Sequence, residues 1–533
     1  MTEQQPERVL HGVAVTGGVA IGPVWFRETT HGTRMAGSPE EERDAMQRAI
    51  KNASHDLETL SQNEDKLAAD ILEFQLALLD DEDFLDPVFA RIDQGIGADI
   101  AWSEVLDHEI ADYASADDDY MAARSSDLVD LRDRILTCLS GVSSAVDPMP
   151  EGAVLMAGDL APSAFLALDP SRLGGIALFE GNRTSHVALL ARARGVPMIV
   201  GLGQQPGQVD QETIAGLDAD AGTLTMAPSG ASLARLRDRV AAARDEATLD
   251  AEAARKPART ASRSIKLLIN IDDPGVVDGL DPEICDGIGL TRTEFLFAGE
   301  HLPDEGEQYR FYAKLLRWAD GRPVTIRTLD AGGDKPIPGV TIDGETNPFL
   351  GVRGLRLSLR RSDLFREQLR ALARAAANGP LKIMLPMVTN AGEIAEARQH
   401  LGAVLDDLAR RQVEHARPQL GIMVETPAAA IACGDWDAEF FSIGSNDLIQ
   451  YVTASARDNA DVATLADPRH PAVLELIKRV VQTGQINGVE VGLCGDMAST
   501  PDLVPVLLDL GLEYFSVAPA QVGKVKRAIA GCP

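Results

Sequence analysis

The stretch LGIMVETPAAAIACGDWDAEFFSIGSND, residues 420–447, shows the pattern that decides the fold. Two apolar, strand-like runs lie on either side of a segment with helical character. The same alternation recurs until eight runs have passed: KLLINI (266–271), GIGLTR (287–292), PVTIRT (323–328), LKIMLPM (381–387), LGIMVE (420–425), FFSIGS (440–445), EVGLCG (490–495) and YFSVAP (514–519). Eight buried strands that alternate with helices over this length predict a (β/α)8 barrel of the TIM type.

Reactive side chains stand where five of the eight runs end. In such barrels the carboxyl ends of the strands carry the active site, so these residues are candidates for one catalytic rim. They are Arg292, Arg327, Glu425, the pair Asn446-Asp447, and Cys494. Each alone is a weak signal, since an arginine at a strand end is commonly a salt-bridge residue. Together they predict a catalytic barrel mouth.

The residue types at the rim fit one kind of substrate. Glu425 and Asp447 supply the carboxylates that Mg²⁺ needs when a substrate's own oxygens complete its octahedral shell. Planar guanidinium groups suited to phosphate and carboxylate come from Arg292, Arg327, Arg353 and Arg457. The rim therefore predicts a small phosphorylated carboxylic acid as substrate. For Arg353 and Arg457, structural pairing with the many acidic residues is the alternative.

Cys494 differs from the other cysteines in its position. It ends a predicted strand and precedes a glycine turn, whereas Cys138, Cys285 and Cys433 are expected to be small buried hydrophobic residues. A thiol has a pKa near 8.5 in water, so it can give a proton to an enolate and recover it near neutral pH. We therefore expect Cys494 to act as a proton donor.

Upstream of the barrel the sequence changes character. Residues 1–37 and 143–228 contain short strand-like runs with turns and predict one α/β domain. Residues 38–142 show helical periodicity and predict a helical subdomain inserted into it. Residues 229–262 have no apolar run that could form a core, which predicts a linker helix before a barrel domain at 263–533.

The predicted helical subdomain is strongly acidic. Residues 40–134 hold 27 Asp or Glu against 8 Lys or Arg, a net charge of −19 within a total of −31. This segment is either a solvated helical surface or a docking face for a partner with positive charge, since complementary fields speed encounter. The acidity argues against nucleic acid or an anionic membrane as partner, because clustered Lys and Arg bind phosphate backbones.

Localisation and redox state follow from what the sequence lacks. Its apolar runs fall short of the about 20 residues that span a bilayer. The opening MTEQQPERVLHG has no basic start followed by an apolar stretch, which predicts no signal peptide. Five cysteines are scattered without metal-ligand spacing. We expect a cytoplasmic protein with reduced thiols and no membrane insertion.

Seven motifs together resemble one family. They are GNRTSHVALLARARGVPMIVG (181–201), GIGLTRTEFLF (287–297), TIRTLDAGGDK (325–335), NPFLGVRGLR (347–356), GIMVETPAAA (421–430), FFSIGSNDLIQY (440–451) and GLCGDMAS (492–499). As a set they look like the successive signatures of Enzyme I, the phosphoenolpyruvate-protein phosphotransferases of the bacterial sugar phosphotransferase system. The resemblance runs from about residue 10 to the C-terminus and puts the helical insert where that family has its HPr-binding subdomain.

The resemblance implies a fold and an activity. The fold would be a phosphohistidine α/β domain with a helical insert, followed by the barrel. The activity would pass the phosphoryl group of phosphoenolpyruvate to His186 and then to a histidine of the HPr carrier, releasing pyruvate, as the first step of sugar uptake. It also implies Mg²⁺ as cofactor and a homodimer formed through the barrel domain. A regulatory branch acting on an HPr-like protein is the alternative.

Roles for single residues follow from the same resemblance. His186 would be phosphorylated on Nε2, and Glu425 and Asp447 would bind magnesium. Cys494 would protonate the enolate of departing pyruvate. The contacts to phosphoenolpyruvate would be Arg292, Arg327, Asn446, Asp447 and Arg457. Arg457 stands in SARDN where the family commonly has DRGN, so its placement departs from the family pattern.

The position of His186 gives this role a physical basis. A lone histidine at a helix start is ordinarily a structural or surface residue. Here the free backbone N–H groups and the positive dipole end of the predicted helix, which ends at Gly195, would stabilise a phosphoryl group on the ring. Thr184 and Ser185 can hydrogen-bond the ring or the phosphate. Placement and motif together favour a phosphoryl carrier.

Two other interpretations compete. Phosphoenolpyruvate synthase and pyruvate phosphate dikinase share the histidine motif and the barrel but need an ATP-binding domain. The about 145 residues before the histidine domain contain no GxxxxGK[ST] loop. The second alternative is a regulatory phosphoprotein whose barrel only senses a metabolite. The complete set of rim residues argues against it.

Overall fold

The computed structural model describes residues 6–26, 36–61, 66–114, 119–141, 149–183, 185–203, 213–297, 301–333, 335–342, 344–457 and 459–533. The chain divides into two compact units, Met1–Asp245 and Glu246–Pro533. Within the described ranges, no helix is both long enough and apolar enough to cross a membrane.

The first unit combines a sheet with a helical insert. Its opening elements are β1 (Arg8–His11), β2 (Val13–Thr16), β3 (Val19–Phe26), α1 (Pro39–Ser61), α2 (Lys66–Asp80), α3 (Glu82–Asp93), α4 (Ala98–Ala114) and α5 (Asp119–Ser140). They are followed by β4 (Ala153–Ala157), α6 (Pro162–Leu166), β5 (Leu173–Leu178), α7 (His186–Arg194), β6 (Met198–Val200), β7 (Ile214–Asp218), β8 (Thr223–Met226) and by α8 (Gly230–Ala254), which begins in this unit and ends in the second. Helices α1 to α5 occupy the segment for which helical periodicity was predicted.

The strands of this unit form one mixed sheet in the order β1-β8-β7-β3-β4-β5-β6-β2. Strands β3 to β6 run parallel to one another, and the outer pairings are antiparallel. Alternate residues of β4 pack on opposite faces: Leu155 joins a core that includes Trp102 of α4 and Val187 of α7, whereas Val154 joins a second core. The helical insert therefore shares one continuous core with the sheet and with the helix that begins at His186.

The second unit alternates strands and helices. Its elements are β9 (Lys266–Ile271), β10 (Ile288–Thr291), α9 (Glu305–Ala319), β11 (Val324–Arg327), α10 (Leu355–Arg360), α11 (Ser362–Ala375), β12 (Leu381–Leu385), α12 (Ala391–Arg410), β13 (Gln419–Val424), α13 (Pro427–Ala432), β14 (Phe440–Gly444), α14 (Ser445–Thr453), α15 (Pro471–Asn487), β15 (Glu490–Cys494), α16 (Asp496–Ser499), α17 (Val504–Asp509), β16 (Tyr514–Val517) and α18 (Val522–Ala530).

Strands β9 to β16 close into a barrel in which every neighbouring pair is parallel. Each of the eight apolar runs recognised in the sequence coincides with one of these strands, with β13 beginning one residue before its run. The predicted (β/α)8 barrel is therefore confirmed. Its strands are apolar because their outer faces are covered by helices and their inner faces fill the barrel.

Alternation along β13 decides which side chains reach the barrel mouth. Ile422 and Val424 belong to the core between strands and helices, whereas Met423 packs with Phe440 in a separate cluster inside the barrel. Successive side chains of a strand point to opposite faces, so Glu425 continues the inward series of Met423 at the carboxyl end. Arg327 lies at the same end of the barrel because it is the last residue of β11.

Candidate functional site

His186 is the first residue of α7, as the sequence predicted. Ser185 caps the helix by accepting a hydrogen bond from the backbone N–H of Ala188 at 3.3 Å, and Gly195 ends it in the left-handed conformation with φ of 64°. The His186 side chain is 13% exposed, so the ring is largely enclosed but still reachable. Thr184, to which the sequence analysis gave a hydrogen-bonding role, lies outside the described residues.

A buried carboxylate on α5 orients the histidine ring. Nδ1 of His186 lies 3.0 Å from Oδ1 of Asp127, and Oδ2 of Asp127 accepts a hydrogen bond from Nη1 of Arg124 at 3.1 Å. A carboxylate paired with a guanidinium only accepts hydrogen bonds, so Nδ1 of the neutral ring carries the proton. Nε2 then keeps its lone pair and is the nucleophilic atom of the ring.

If His186 is the phosphoryl acceptor that the resemblance implies, Asp127→Asn is expected to slow its phosphorylation about 100-fold, because an amide can donate to Nδ1 and so stabilise the other tautomer. The measurement is the rate at which label from phosphoenolpyruvate enters the protein. Asp107→Asn, which alters an exposed ion pair with Arg132, is the matched control and should not change the rate. Phosphorylation of a folded Asp127→Asn variant at the wild-type rate would contradict the orienting role.

The barrel mouth brings Glu425 and Asp447 to neighbouring strands. Glu425 directly follows β13, Asp447 lies in the first turn of α14 after β14, and both are buried. Oε1 of Glu425 accepts a hydrogen bond from the backbone N–H of Met387 at 2.6 Å. Burial, together with the nearby carboxylate of Asp447, raises the pKa of Glu425 to about 8. A pair of buried carboxylates in this position favours a bound cation.

These two carboxylates fit a divalent metal ion. Oε2 of Glu425 is buried and has no hydrogen-bond partner among the described residues, as expected of an oxygen that serves a ligand. The described part of the chain contains no cluster of three or more His, Cys, Asp or Glu that could hold a metal ion. Oxygen-rich, partly substrate-supplied coordination suits Mg²⁺, which needs only one or two protein carboxylates.

Two arginines are buried between carboxylates beside this pair. Arg327 donates from Nη2 to Glu294 at 2.7 Å and lies 3.1 Å from Oδ2 of Asp330 through Nη1. Arg353 donates from Nη2 to Asp330 at 2.9 Å and from Nη1 to Asp447 at 3.1 Å. The network therefore links residues that follow several strands through buried, paired charges.

Nearby opposite charges shift the pKa values of Arg327 and Asp330 toward their charged forms. Burial alone would lower the pKa of Arg327, but the carboxylates of Glu294 and Asp330 outweigh it, and the pKa is raised. Burial would likewise raise the pKa of Asp330, yet the guanidinium groups of Arg327 and Arg353 hold that pKa below its ordinary value. Because removing one partner would leave a buried charge uncompensated, these groups act as a unit.

The observed contacts of Arg353 match the pairing that the sequence analysis kept as an alternative. Its side chain is fully buried, and its Nε, Nη1 and Nη2 atoms all face carboxylate oxygens of Asp330 or Asp447. Arg457 is more accessible, with Nη2 3.7 Å from Asp447. Asn446 accepts a hydrogen bond through Oδ1 from the backbone N–H of Asp496 at 3.0 Å.

Cys494 is the last residue of β15 and is buried in the barrel. The hydroxyl of Ser442 donates to its Sγ at 3.6 Å, and Sγ also lies 3.5 Å from the carbonyl oxygen of Ile443. Burial raises the pKa of the Cys494 thiol, partly opposed by the Ser442 hydroxyl. The thiol therefore holds its proton at neutral pH, as a proton donor must.

The rim residues and His186 belong to different units of the chain. Arg292, Arg327, Glu425, Asp447 and Cys494 all lie at the carboxyl ends of strands in the second unit, as predicted. His186 and Asp127 belong to the first unit. Sequence reasoning missed the partners Asp127, Glu294 and Asp330. The last two stand inside the quoted motifs, within three positions of Arg292 and Arg327, and that short spacing was the only signal.

Comparison with known proteins covers nearly the whole chain. Residues 11–124 match the N-terminal family of PEP-utilising enzymes, residues 149–222 their mobile domain, and residues 247–532 their PEP-binding domain. A phosphoenolpyruvate-protein phosphotransferase of Geobacillus stearothermophilus is 37% identical over 97% of this chain and 92% of its own length. A protein of the same name from Haloferax volcanii is also 37% identical, over 98% of this chain and 94% of its own.

A solved solution structure named Enzyme I is 27% identical to this chain. It covers 44% of this chain and 99% of its own length, with a TM-score of 0.38.

Proposed function

Since the chain belongs to the phosphoenolpyruvate-protein phosphotransferase family, we propose that it transfers the phosphoryl group of phosphoenolpyruvate to His186 and then to a histidine of an HPr-like carrier protein. Pyruvate is the second product. The proposal rests on one observation: at the barrel mouth the buried Glu425 and Asp447 lie beside the buried Arg327 and Arg353. Such a surface binds an anionic substrate together with a cation.

Substrate binding uses both signs of charge at the mouth. Arg292, Arg327 and Arg457, with Asn446, bind the phosphate and carboxylate of phosphoenolpyruvate, while Arg353 fixes Asp447 at 3.1 Å. Glu425 and Asp447 would hold Mg²⁺, which would supply charge neutralisation for the transferring phosphoryl group. Asp330 and Glu294 keep the guanidinium groups in place. The guanidinium groups are thus oriented before the substrate binds, which lowers the entropy cost of the reaction.

Phosphoryl transfer follows from the state of the His186 ring. Nε2 attacks phosphorus, a new N–P bond forms, and the bond between phosphorus and the enol oxygen breaks to release the enolate of pyruvate. Asp127 holds the Nδ1 proton at 3.0 Å and stabilises the positive charge that develops on the imidazole. The N-terminal N–H groups of α7 stabilise the phosphoryl group on the ring.

Protonation of the enolate completes the first half-reaction. The thiol of Cys494 gives its proton to the methylene carbon of the enolate, which becomes the methyl group of pyruvate. The resulting thiolate is stabilised by the hydroxyl of Ser442 and recovers its proton from water.

Cys494→Ala is expected to lower steady-state turnover about 100-fold while leaving phosphoenolpyruvate binding and single-turnover labelling of His186 largely intact, because only enolate protonation is lost. The two rates are measured side by side by rapid quench and by pyruvate release. Cys532→Ala, at a partly exposed thiol, is the control. If Cys494→Ala turns over at the wild-type rate, the thiol is a packing residue and does not protonate the enolate.

The acidic helical insert is the proposed docking face for the carrier. Helices α1 to α5 share a core with the start of α7, so a carrier bound to them lies near His186. In this proposal residues 1–37 and 143–228 form the phosphohistidine domain, 38–142 the carrier-binding subdomain, 229–262 a linker and 263–533 the barrel domain. The barrel domain also forms a homodimer. The pathway served is sugar uptake, or else a regulatory branch that uses an HPr-like protein.

The test is incubation of the full chain with labelled phosphoenolpyruvate, Mg²⁺ and candidate HPr-like proteins. Label is expected first on the chain and then on a carrier. The second transfer should slow as salt increases, because exposed charges are screened beyond about 10 Å at 0.1 M salt. A chain that becomes labelled but passes label to no HPr-like protein would contradict the proposed acceptor, and an unlabelled chain would contradict the proposed substrate.

A further inference from the structure

Arg292 stands apart from the buried arginines of the barrel mouth. Its side chain is 32% exposed, whereas that of Arg327 is 4% exposed and locked between two carboxylates. The backbone N–H of Arg292 donates to the carbonyl of Ile271 at 3.0 Å, which ties its main chain to the end of β9. The side chain of Arg292 is thus more accessible to an anion than that of Arg327. Because no pair of carboxylates among the described residues encloses it, its orientation depends on another contact.

Asp272, the first residue after β9, is in contact with this guanidinium. Both of its carboxylate oxygens lie near Nη1 of Arg292, at 3.1 and 2.9 Å. Asn270, two residues earlier, meets the inward-facing Ser516 through a 2.6 Å hydrogen bond, so the alternation of β9 points Asp272 toward the mouth as well. Asp272 is 41% exposed and has room to move with the guanidinium.

The way in which Asp272 contacts Arg292 indicates its role. A carboxylate that shielded the arginine from substrate would occupy one of its two-nitrogen forks, which is the preferred geometry for an anion. Here the carboxylate takes Nη1 alone, and within the described residues Nε and Nη2 have no hydrogen-bond partner. The fork formed by Nε and Nη2 stays open for a phosphate or carboxylate.

We propose that Asp272 is a positioning residue that anchors the guanidinium of Arg292 and presents its Nε–Nη2 fork to an anionic group of the substrate. An unanchored arginine would lose side-chain freedom on binding, and the anchor removes part of that cost beforehand. The effect belongs to substrate binding, since Asp272 itself touches no reacting atom. This inference rests on the proposed function of the barrel mouth.

A double-mutant cycle tests the proposal in the full chain. Wild type, Asp272→Asn, Arg292→Ala and the double variant are compared for the KM for phosphoenolpyruvate, for kcat and for the calorimetric Kd in the presence of Mg²⁺. Asp272→Asn is expected to raise KM and Kd about fivefold with kcat nearly unchanged, the upper range for an exposed ion pair. In the Arg292→Ala background the same substitution should change neither constant.

Asp273→Asn is the matched control, because it neutralises the neighbouring carboxylate, whose Oδ1 accepts a hydrogen bond from the backbone N–H of Gly275 at 2.6 Å. It should leave KM and kcat at wild-type values. An unchanged or lowered KM for Asp272→Asn, or an equal rise in both backgrounds, would overturn the positioning role while leaving the proposed function intact. A wild-type chain that neither binds nor consumes phosphoenolpyruvate would overturn both.

Discussion

Glu425→Gln is expected to reduce phosphoryl transfer from phosphoenolpyruvate by about a thousandfold or more at ordinary Mg²⁺ concentrations, a loss of several kcal/mol of charge stabilisation. The substitution keeps the shape of the side chain but removes the charge that a metal ion would neutralise. It leaves Oε1 able to accept the hydrogen bond from Met387 that now spans 2.6 Å. The Glu425→Gln variant should therefore keep the fold and the structure of the barrel mouth, while its affinity for Mg²⁺ falls.

The measurement is single-turnover labelling across a Mg²⁺ titration. Glu396→Gln, at an exposed position on α12, is the control and should behave as wild type. Because His186 is intact in Glu425→Gln, this variant should still accept phosphate in reverse from a phosphorylated HPr-like carrier. If Glu425→Gln becomes labelled from phosphoenolpyruvate at the wild-type rate and with the wild-type Mg²⁺ requirement, the carboxylate is not a metal ligand.

His186→Ala is expected to abolish labelling from both directions, from phosphoenolpyruvate and from a phosphorylated carrier. The variant lacks the Nε2 nucleophile, yet its barrel mouth is untouched, so phosphoenolpyruvate and Mg²⁺ should still bind. His108→Ala removes a well-exposed histidine of α4 and is the matched control. The wild-type label should be acid-labile and base-stable, as phosphoramidates are. Persistent acid-labile label on His186→Ala would place the carrier at another residue.

The barrel could be predicted from sequence because its strands are apolar on both faces. Eight such runs are visible without any knowledge of pairing, and each ends at the face where a barrel holds its chemistry. For this reason the positions of Arg292, Arg327 and Glu425 at the barrel mouth could be predicted from the sequence. The helix that begins at His186 was visible for a similar reason, since its cap at Ser185 and its end at Gly195 are local features.

The parts of the site that could not be predicted from the sequence depend on contacts between residues that are far apart in the chain. Asp127 meets His186 across 59 positions, and Arg327 meets Glu294 across 33. One carboxylate on an acidic helix looks like any other in the sequence, so only folding distinguishes Asp127 from its acidic neighbours. The complete burial of Arg353 between Asp330 and Asp447 was equally invisible. The order of the mixed sheet in the first unit depends on long-range pairing in the same way.

In the proposed function this chain carries phosphate from phosphoenolpyruvate on one nitrogen of one histidine. The most direct measurement is to incubate the wild-type chain with phosphoenolpyruvate and Mg²⁺, locate the phosphorylated residue by mass spectrometry, and identify the nitrogen by phosphorus NMR. We expect a single phosphohistidine at His186 with phosphate on Nε2. Phosphate on Nδ1, on another residue, or on none would contradict it.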